Sequence, residues 1–328
     1  MNDQHWTGQN EVAGYRQLKL LLFLFKLLPP LLLRLLAFPV GFCFFLAAKN
    51  VREQSRRYLA HAAAAGAIKR FNALQSLKQV IAFAITITEK VQAWGGKIDF
   101  THIHFQNDDI PQLIDRLEKK EGAVLLTSHL GNSELLRALA DYSRTGVSRD
   151  IPVISVLDSK ITPHYARMLA ELNPRSRLRI IDSAGINAGV VTMLLRHIVD
   201  GGLVVIAADR TPKPDGQKHA HKRHEPFMIS FLGSPAPFPQ GPFILASLLE
   251  APVYAVFALR RGALSISSEY NMHVHRLRKE SPGVSRAWIN DAARRFASLL
   301  ETYCLRNPHQ WYNFYDFWRP YGSPSTDS

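Results

Sequence analysis

The 328-residue chain is long enough for one large domain or two modest ones, and 47% of its residues are apolar, which supports a sizeable core. Its two cysteines, Cys43 and Cys304, are too few for a disulfide framework and lack metal-ligand spacing, so we expect a protein that faces the cytoplasm. The formal net charge of +13 favours a polyanionic partner, which can be a nucleic acid or an anionic membrane.

The N-terminal region favours the membrane. Residues 18–48 form an apolar segment that contains three cations, Lys19, Lys26 and Arg34. A basic cluster follows it directly, at Lys49, Arg52, Arg56 and Arg57. An anionic cytoplasmic leaflet attracts clusters of this kind. We therefore predict that residues 1–50 are an N-terminal tail and membrane anchor, and that residues 51–328 are a helical lead-in followed by an α/β domain.

The form of the anchor is left open by the sequence. The uncharged run 35–48 is shorter than the about 20 residues that a spanning helix needs, and Pro29-Pro30 interrupts the longer segment. Two interfacial helices and one irregular span fit equally well, and a buried core hairpin is the alternative. A cleaved signal peptide is disfavoured, because no small-residue cleavage site follows the apolar core.

Beyond the anchor, helical and strand patterns follow in order. Residues 51–95 have helical spacing throughout, and Gly95-Gly96 ends them. Short apolar strands then alternate with helices, which indicates a mostly parallel sheet covered on both faces. We predict strands at 123–129, 152–158, 178–182, 203–209 and 252–259. We predict helices at 133–144, 163–172, 186–199, 241–249 and 285–305. Residues 263–277 alternate like an antiparallel addition to the sheet.

The first predicted strand ends at His129, and Glu134 opens the next helix. A neutral histidine can accept a proton from a hydroxyl group, and a carboxylate on its other nitrogen fixes the tautomer. The alternative is that His129 is a satisfied core histidine and Glu134 a first-turn residue paired with Arg137. Asp209 and Arg210 follow another predicted strand, and the topology can bring them to the same edge of the sheet.

Four blocks of sequence carry a resemblance to a known family. They are "HLGNSE" (129–134), "GGLVVIAADRTP" (201–212), "PFMISFLGSPAPFPQGPFILASLLEAPVYAVF" (226–257) and "NPHQWYNFYDFW" (307–318). The first matches the H-x4-D/E signature of the lysophospholipid acyltransferase superfamily. With the apolar N-terminal helix, the blocks resemble the bacterial lipid A late acyltransferase family over residues 15–318. The resemblance implies a glycerolipid-acyltransferase-like α/β fold with a mostly parallel central sheet.

The same resemblance implies the transfer of an acyl group from an acyl carrier protein or CoA thioester to a hydroxyl or amine of a lipid or glycolipid. It makes His129 the general base and Glu134 the residue that orients it, without a covalent acyl-enzyme. The remaining predicted substrate-binding residues are Asp209, Arg210, Gly131, Asn132, Phe231 and Gly233. Within this set, Asp209 and Arg210 are expected to organise the site and bind a phosphate or phosphopantetheine group. Backbone N–H groups at 130–132 are expected to meet the thioester oxyanion.

Other expectations concern partners and location. No cofactor or metal is expected, although His219, His221 and His224 raise a zinc alternative; a basic lid that contacts the carrier protein or lipid phosphates is the preferred interpretation. The expected partners are the acyl donor, the lipid acceptor and an anionic membrane, with no nucleic acid, at the cytoplasmic face of a bacterial inner membrane. The family's arginine block is not located; Lys160, Arg175, Arg177 and Arg179 are candidates. The alternatives are an acyltransferase of an aryl polyene or similar pathway, and a non-catalytic basic binding protein.

Overall fold

The computed structural model describes residues 23–24, 27–94, 97–98, 100–106, 109–135, 147–157, 179–211, 225–277 and 284–319. Its helices are α1 (Pro30–Ala47), α2 (Lys49–Ala64), α3 (Ala73–Trp94), α4 (Asp109–Glu118), α5 (Ala188–Val199), α6 (Gly241–Leu248) and α7 (Arg286–Arg306). Its strands are β1 (Ile103–Phe105), β2 (Ala123–Thr127), β3 (Val153–Leu157), β4 (Arg179–Asp182), β5 (Leu203–Ala207), β6 (Phe227–Phe231), β7 (Ser234–Phe238), β8 (Val253–Arg260) and β9 (Tyr270–Arg276).

The apolar N-terminal helix α1 begins at Pro30, as the proline pair predicted, because proline is accepted in the first turn of a helix. It packs on α3, and its buried residues are Leu33, Ala37 and Gly41. A Cβ added at Gly41 would lie only 3.0 Å from the Cα of Ile81, so the two backbones approach closely there. α1 passes the length and hydropathy criteria for a membrane span, and only 17% of it is buried. The buried core hairpin is therefore not what the structure shows for α1.

Residues 51–95 are not helical throughout, which corrects the sequence-based prediction. α2 ends at Ala64, and Gly66 has a φ of +86°. The N–H groups of Gly66 and Ala67 donate to the carbonyls of Ala63 and Ala62, which is the hydrogen-bond pattern of a glycine-terminated helix. The chain then turns and resumes a helix at Ala73.

The central sheet has the strand order β1-β9-β8-β2-β5-β3-β4. β4, β3, β5, β2 and β8 are parallel, while β9 is antiparallel to β8 and parallel to β1. The predicted α/β class and mostly parallel sheet are confirmed. β6 and β7 form a separate antiparallel hairpin that the sequence did not predict. The predicted helix 163–172 and most of 133–144 lie outside the described residues.

Two apolar layers cover the sheet because strand side chains alternate between its faces. Val124 and Leu126 of β2 face the layer that includes α7, and Leu125 faces the opposite layer, which includes α4. β2 and β5 lie side by side in register, with Thr127 opposite Ala207. The residues that follow these two strands therefore leave the sheet at the same edge.

Candidate active site

His129 and Asp209 meet at the carboxyl ends of β2 and β5. His129 Nδ1 lies 2.9 Å from Asp209 Oδ1, and the backbone N–H of His129 donates to Asp209 Oδ2 over 2.8 Å. A carboxylate only accepts hydrogen bonds, so Nδ1 carries the proton and Nε2 keeps its lone pair. The ring is 30% exposed, whereas the Asp209 side chain is fully buried. An oriented, neutral imidazole with a free acceptor nitrogen is suited to take a proton from a substrate.

The surroundings keep the imidazole neutral and the carboxylate charged. Burial, followed by the positive charge of Arg210, lowers the pKa of His129 to about 4, despite the opposing effect of Asp209. Burial alone raises the pKa of Asp209, but the charge and hydrogen bonds of His129, together with Arg210, outweigh it and bring the pKa to about 2. Between pH 5 and 8, His129 therefore stays available as a base.

Trp311 adds a further donor to Asp209. Its indole Nε1 donates to Asp209 Oδ2 over 3.0 Å, and its side chain is completely buried. The backbone of Trp311 pairs with Leu130, and the N–H of Tyr312 donates to the carbonyl of His129. The C-terminal tail thus lies against the His129 turn. In the sequence this segment is one of the blocks that carry the family resemblance, but the sequence did not predict its contact with Asp209.

Asp209 and Arg210 were expected to organise the site and to bind a phosphate or phosphopantetheine group, and the binding of such a group stays a prediction. Within the part of the chain that the structure describes, the carboxylate accepts three hydrogen bonds, from the ring and backbone of His129 and from Trp311. A buried anion with these donors holds the imidazole in place, which fits the expected role of Asp209 in organising the site. The sequence contained a signal for the pairing of His129 with Asp209, because each of them follows a predicted strand of one parallel sheet.

Glu134 and Asn132 shape the start of the next helix. The side-chain Oδ1 of Asn132 accepts the N–H of Glu134 over 3.2 Å, which is the capping interaction that asparagine provides at a helix start. Both side chains are buried. The hydrogen bond to Nδ1 that was expected from Glu134 comes from Asp209 instead. A part for Glu134 in the reaction stays a prediction.

The backbone N–H groups of the turn are already used, which corrects the expected oxyanion site. Leu130 N donates to Ser128 Oγ, Gly131 N to the carbonyl of Gln310, and Asn132 N to the carbonyl of Ala258. Gly131 has a φ of +70°, and a Cβ there would lie 2.1 Å from the Ala258 oxygen. Gly131 therefore allows the turn to contact β8, and it presents no N–H group to a substrate.

The other predicted binding residues have different positions. Arg210 donates to the carbonyl of Tyr312 over 3.0 Å and lies over the ring of Tyr315. Phe231 is completely buried against the rings of Trp311 and Phe317. It therefore packs behind the residue that donates to Asp209 and has no surface that a substrate can contact. Gly233, with a φ of +79°, forms the turn between β6 and β7.

The structure describes some of the residues that were candidates for a zinc site or for the family's arginine block. Among the residues that the structure describes, no group of three His, Cys, Asp or Glu side chains is arranged to hold a metal ion. His219, His221 and His224 lie outside the described residues, as do Lys160, Arg175 and Arg177. Arg179 begins β4 at the far edge of the sheet, and its guanidinium contacts Met193.

Comparison with known proteins identifies the family of this chain. Residues 18–320 match the family model described as bacterial lipid A biosynthesis acyltransferase. The chain belongs to this family. A comparison with curated proteins finds no match. The resemblance to this family, which the sequence predicted over residues 15–318, is confirmed. The protein is therefore an acyltransferase that acts on lipid.

Proposed function

We propose that this acyltransferase moves a fatty acyl group from an acyl carrier protein or CoA thioester to a hydroxyl or amine of a membrane-embedded lipid or glycolipid. The observation that carries the proposal is the hydrogen-bonded pair of His129 and the buried Asp209 at the edge of a parallel sheet. Family membership supports the class of reaction. It gives no support to the alternative of a non-catalytic basic binding protein.

In the proposed reaction His129 is the general base. Its Nε2 takes the proton of the acceptor hydroxyl as the oxygen attacks the thioester carbonyl, and Asp209 stabilises the imidazolium that forms. The tetrahedral intermediate then collapses, the C–S bond breaks, and the imidazolium returns its proton to the thiolate. Atoms and charges balance without a covalent acyl-enzyme. Glu134 is proposed to assist His129 from the adjacent helix start.

We further propose that α1 attaches the enzyme to the cytoplasmic face of a bacterial inner membrane. Its exposed apolar side chains are Leu31, Leu32, Leu35, Leu36, Val40, Phe42 and Leu46. The basic residues at the start of α2 follow this surface directly, where anionic headgroups attract them. An acceptor lipid in the same membrane then reaches the site without leaving the bilayer surface.

The His129→Ala variant tests the proposed chemistry. With purified acyl carrier protein and CoA thioesters as donors and a bacterial lipid extract as acceptor, we expect kcat to fall by about 10²–10⁴-fold, which is the usual contribution of a general base. The matched control is Arg295→Ala, which removes an exposed surface side chain on α7. Turnover within about threefold of wild type would contradict the assignment of His129.

Mass spectrometry of lipids from a deletion strain identifies the acceptor as the missing acylated species.

A further inference from the structure

Buried polar side chains connect α1 to the turn that carries the H-x4-E motif. We call them the Glu89 network, and its members are Arg34, Glu89, Asn132, Arg260, Ser268 and Tyr270. All except Arg34 are buried. None of these residues has a part in the reaction steps proposed above, although Asn132 is one of the predicted substrate-binding residues. Their positions, on α1, α3, β8, β9 and the adjoining loops, make them a connection between separate elements.

The centre of the Glu89 network is an ion pair that is closed to solvent. Arg260 Nε lies 2.6 Å from Glu89 Oε2, and Arg260 Nη2 donates to Glu89 Oε1 over 3.0 Å. Both side chains are 0% exposed. The guanidinium also donates to four carbonyls of the loop after β8, those of residues 262, 263, 265 and 267. A buried ion pair of this kind fixes geometry, because removing either partner leaves an uncompensated charge.

One arm of the network leads to the active site. The hydroxyl of Tyr270 donates to Glu89 Oε2 and accepts a hydrogen bond from Asn132 Nδ2 over 3.3 Å. The other end of the same amide, Asn132 Oδ1, accepts the N–H of Glu134. Two hydrogen bonds therefore connect the Glu89 carboxylate to the side chain that sets the start of the Glu134 helix.

The other arm leads to the apolar helix. Ser268 Oγ donates to Glu89 Oε1 over 3.1 Å and accepts a hydrogen bond from Arg34 Nη1. Arg34 also donates to Gln92 Oε1 of α3 over 3.1 Å. Arg34 is the one cation in the sequence of α1, and a cation in an apolar helix is costly unless it is paired. Its pairing with the domain interior accounts for its presence there.

We propose that Glu89 and Tyr270 are positioning residues for the acyl transfer, and that Arg34 extends their network to α1, so that docking of α1 on α3 sets the geometry of the turn between His129 and Glu134. The reaction named here is the proposed function, and the inference deepens it. The helix that is proposed to contact the membrane would thereby also complete the active site.

The connection is tested first without any assay of turnover. Hydrogen–deuterium exchange is measured on the full chain for peptides that cover residues 128–135, in wild type, Tyr270→Phe and Arg34→Met. We expect exchange in these peptides to be at least about threefold faster in both variants, because each removes a hydrogen bond of the network. Tyr303→Phe is the matched control: it removes a hydroxyl that forms a hydrogen bond with His275 of β9, and we expect it to leave exchange in these peptides unchanged.

The second measurement is steady-state kinetics on the same variants, with Arg295→Met as the control for Arg34→Met. Tyr270→Phe is expected to lower kcat about tenfold with little change in KM, because a positioning effect acts in the transition state. The double variant Arg34→Met/Tyr270→Phe is expected to lose no more activity than the more impaired single variant, since both act through Glu89. Independent structural damage would instead produce additive losses.

The results decide the inference separately from the proposed function. Unchanged exchange at residues 128–135 in both variants, or additive losses of kcat, would overturn the role of the network. If wild type transfers no acyl group from thioesters, the proposed function fails, and the exchange measurement still decides whether α1 and the motif turn are connected. Faster exchange in both variants with a nonadditive loss of kcat supports the inference.

Discussion

At the level of single residues, Asp209 has a decisive position in the site. It is fully buried, and its carboxylate accepts hydrogen bonds from the ring and backbone of His129 and from the indole of Trp311. Burying a charge without such partners costs several kcal/mol. The three donors make the anion stable, and the anion in turn selects the tautomer of His129 that leaves Nε2 free.

Comparison of Asp209→Asn with Glu134→Gln tests which carboxylate orients the imidazole. An asparagine at 209 points an N–H group at one of the three donors and no longer fixes the tautomer. We therefore expect kcat to fall about 10²–10⁴-fold with Asp209→Asn, in the range of general-base effects, and by a smaller factor with Glu134→Gln. Circular dichroism checks that both variants are folded, and Asp291→Asn on the surface of α7 is the control. A larger loss with Glu134→Gln would return the orienting role to Glu134.

At the level of elements, the turn after β2 is fixed from two sides. The turn pairs with β8 through Gly131 and Ala258, and the C-terminal tail pairs with it through Trp311 and Leu130. The close contact with β8 is possible only without a side chain at 131, because a Cβ would lie 2.1 Å from a carbonyl oxygen. The close contact with β8 therefore explains why residue 131 of the H-x4-E motif is a glycine. The sequence pattern alone did not reveal this reason.

Comparison of Gly131→Ala with Gly66→Ala separates the cost of the close contact with Ala258 from the cost of a positive φ. Gly66 has a similar positive φ of +86°, and a Cβ there would meet nothing within 4 Å. We expect Gly66→Ala to lower the free energy of unfolding by about 1–2 kcal/mol, and Gly131→Ala to lower it by about 2–5 kcal/mol, because overpacking adds to the strain. Urea denaturation of the full chain in detergent measures both. Equal effects of the two substitutions would show that the contact with Ala258 is not tight.

At the level of the whole molecule, the N-terminal helices α2 and α3 contact the C-terminal tail that lies against the active site. Gln79 of α3 donates to the carbonyl of Trp311, and Tyr58 of α2 packs edge-on against its indole. Arg57 of α2 forms an ion pair with Asp316 in the tail. The helices that follow the proposed anchor therefore support the residue that donates to Asp209, so residues 51–94 act as more than a spacer.

The outer face of α1 provides a prediction at this scale. Leu36 and Val40 are exposed and one turn apart, so the double variant Leu36→Gln/Val40→Gln leaves the packing on α3 intact. We expect it to lower binding to vesicles that contain anionic lipid at least about tenfold, because each apolar side chain contributes roughly 1.5–3 kcal/mol when buried. Flotation with vesicles measures the effect. Val199→Gln, at an exposed position on α5, is the control, and unchanged binding of the double variant would argue against α1 as the membrane contact.

The sequence alone determined the fold class, the five parallel strands and the family, because apolar periodicity and the motif blocks are local signals. It also identified His129 and Asp209 as residues that follow strands. The partner of His129 was decided only by the tertiary structure, because strand order and register place β5 beside β2. The tertiary structure alone also showed the contact of Trp311 with Asp209, the close approach of Gly131 to β8 and the Glu89 network. Their contacts join residues far apart in the chain, and such contacts depend on packing rather than on spacing along the sequence.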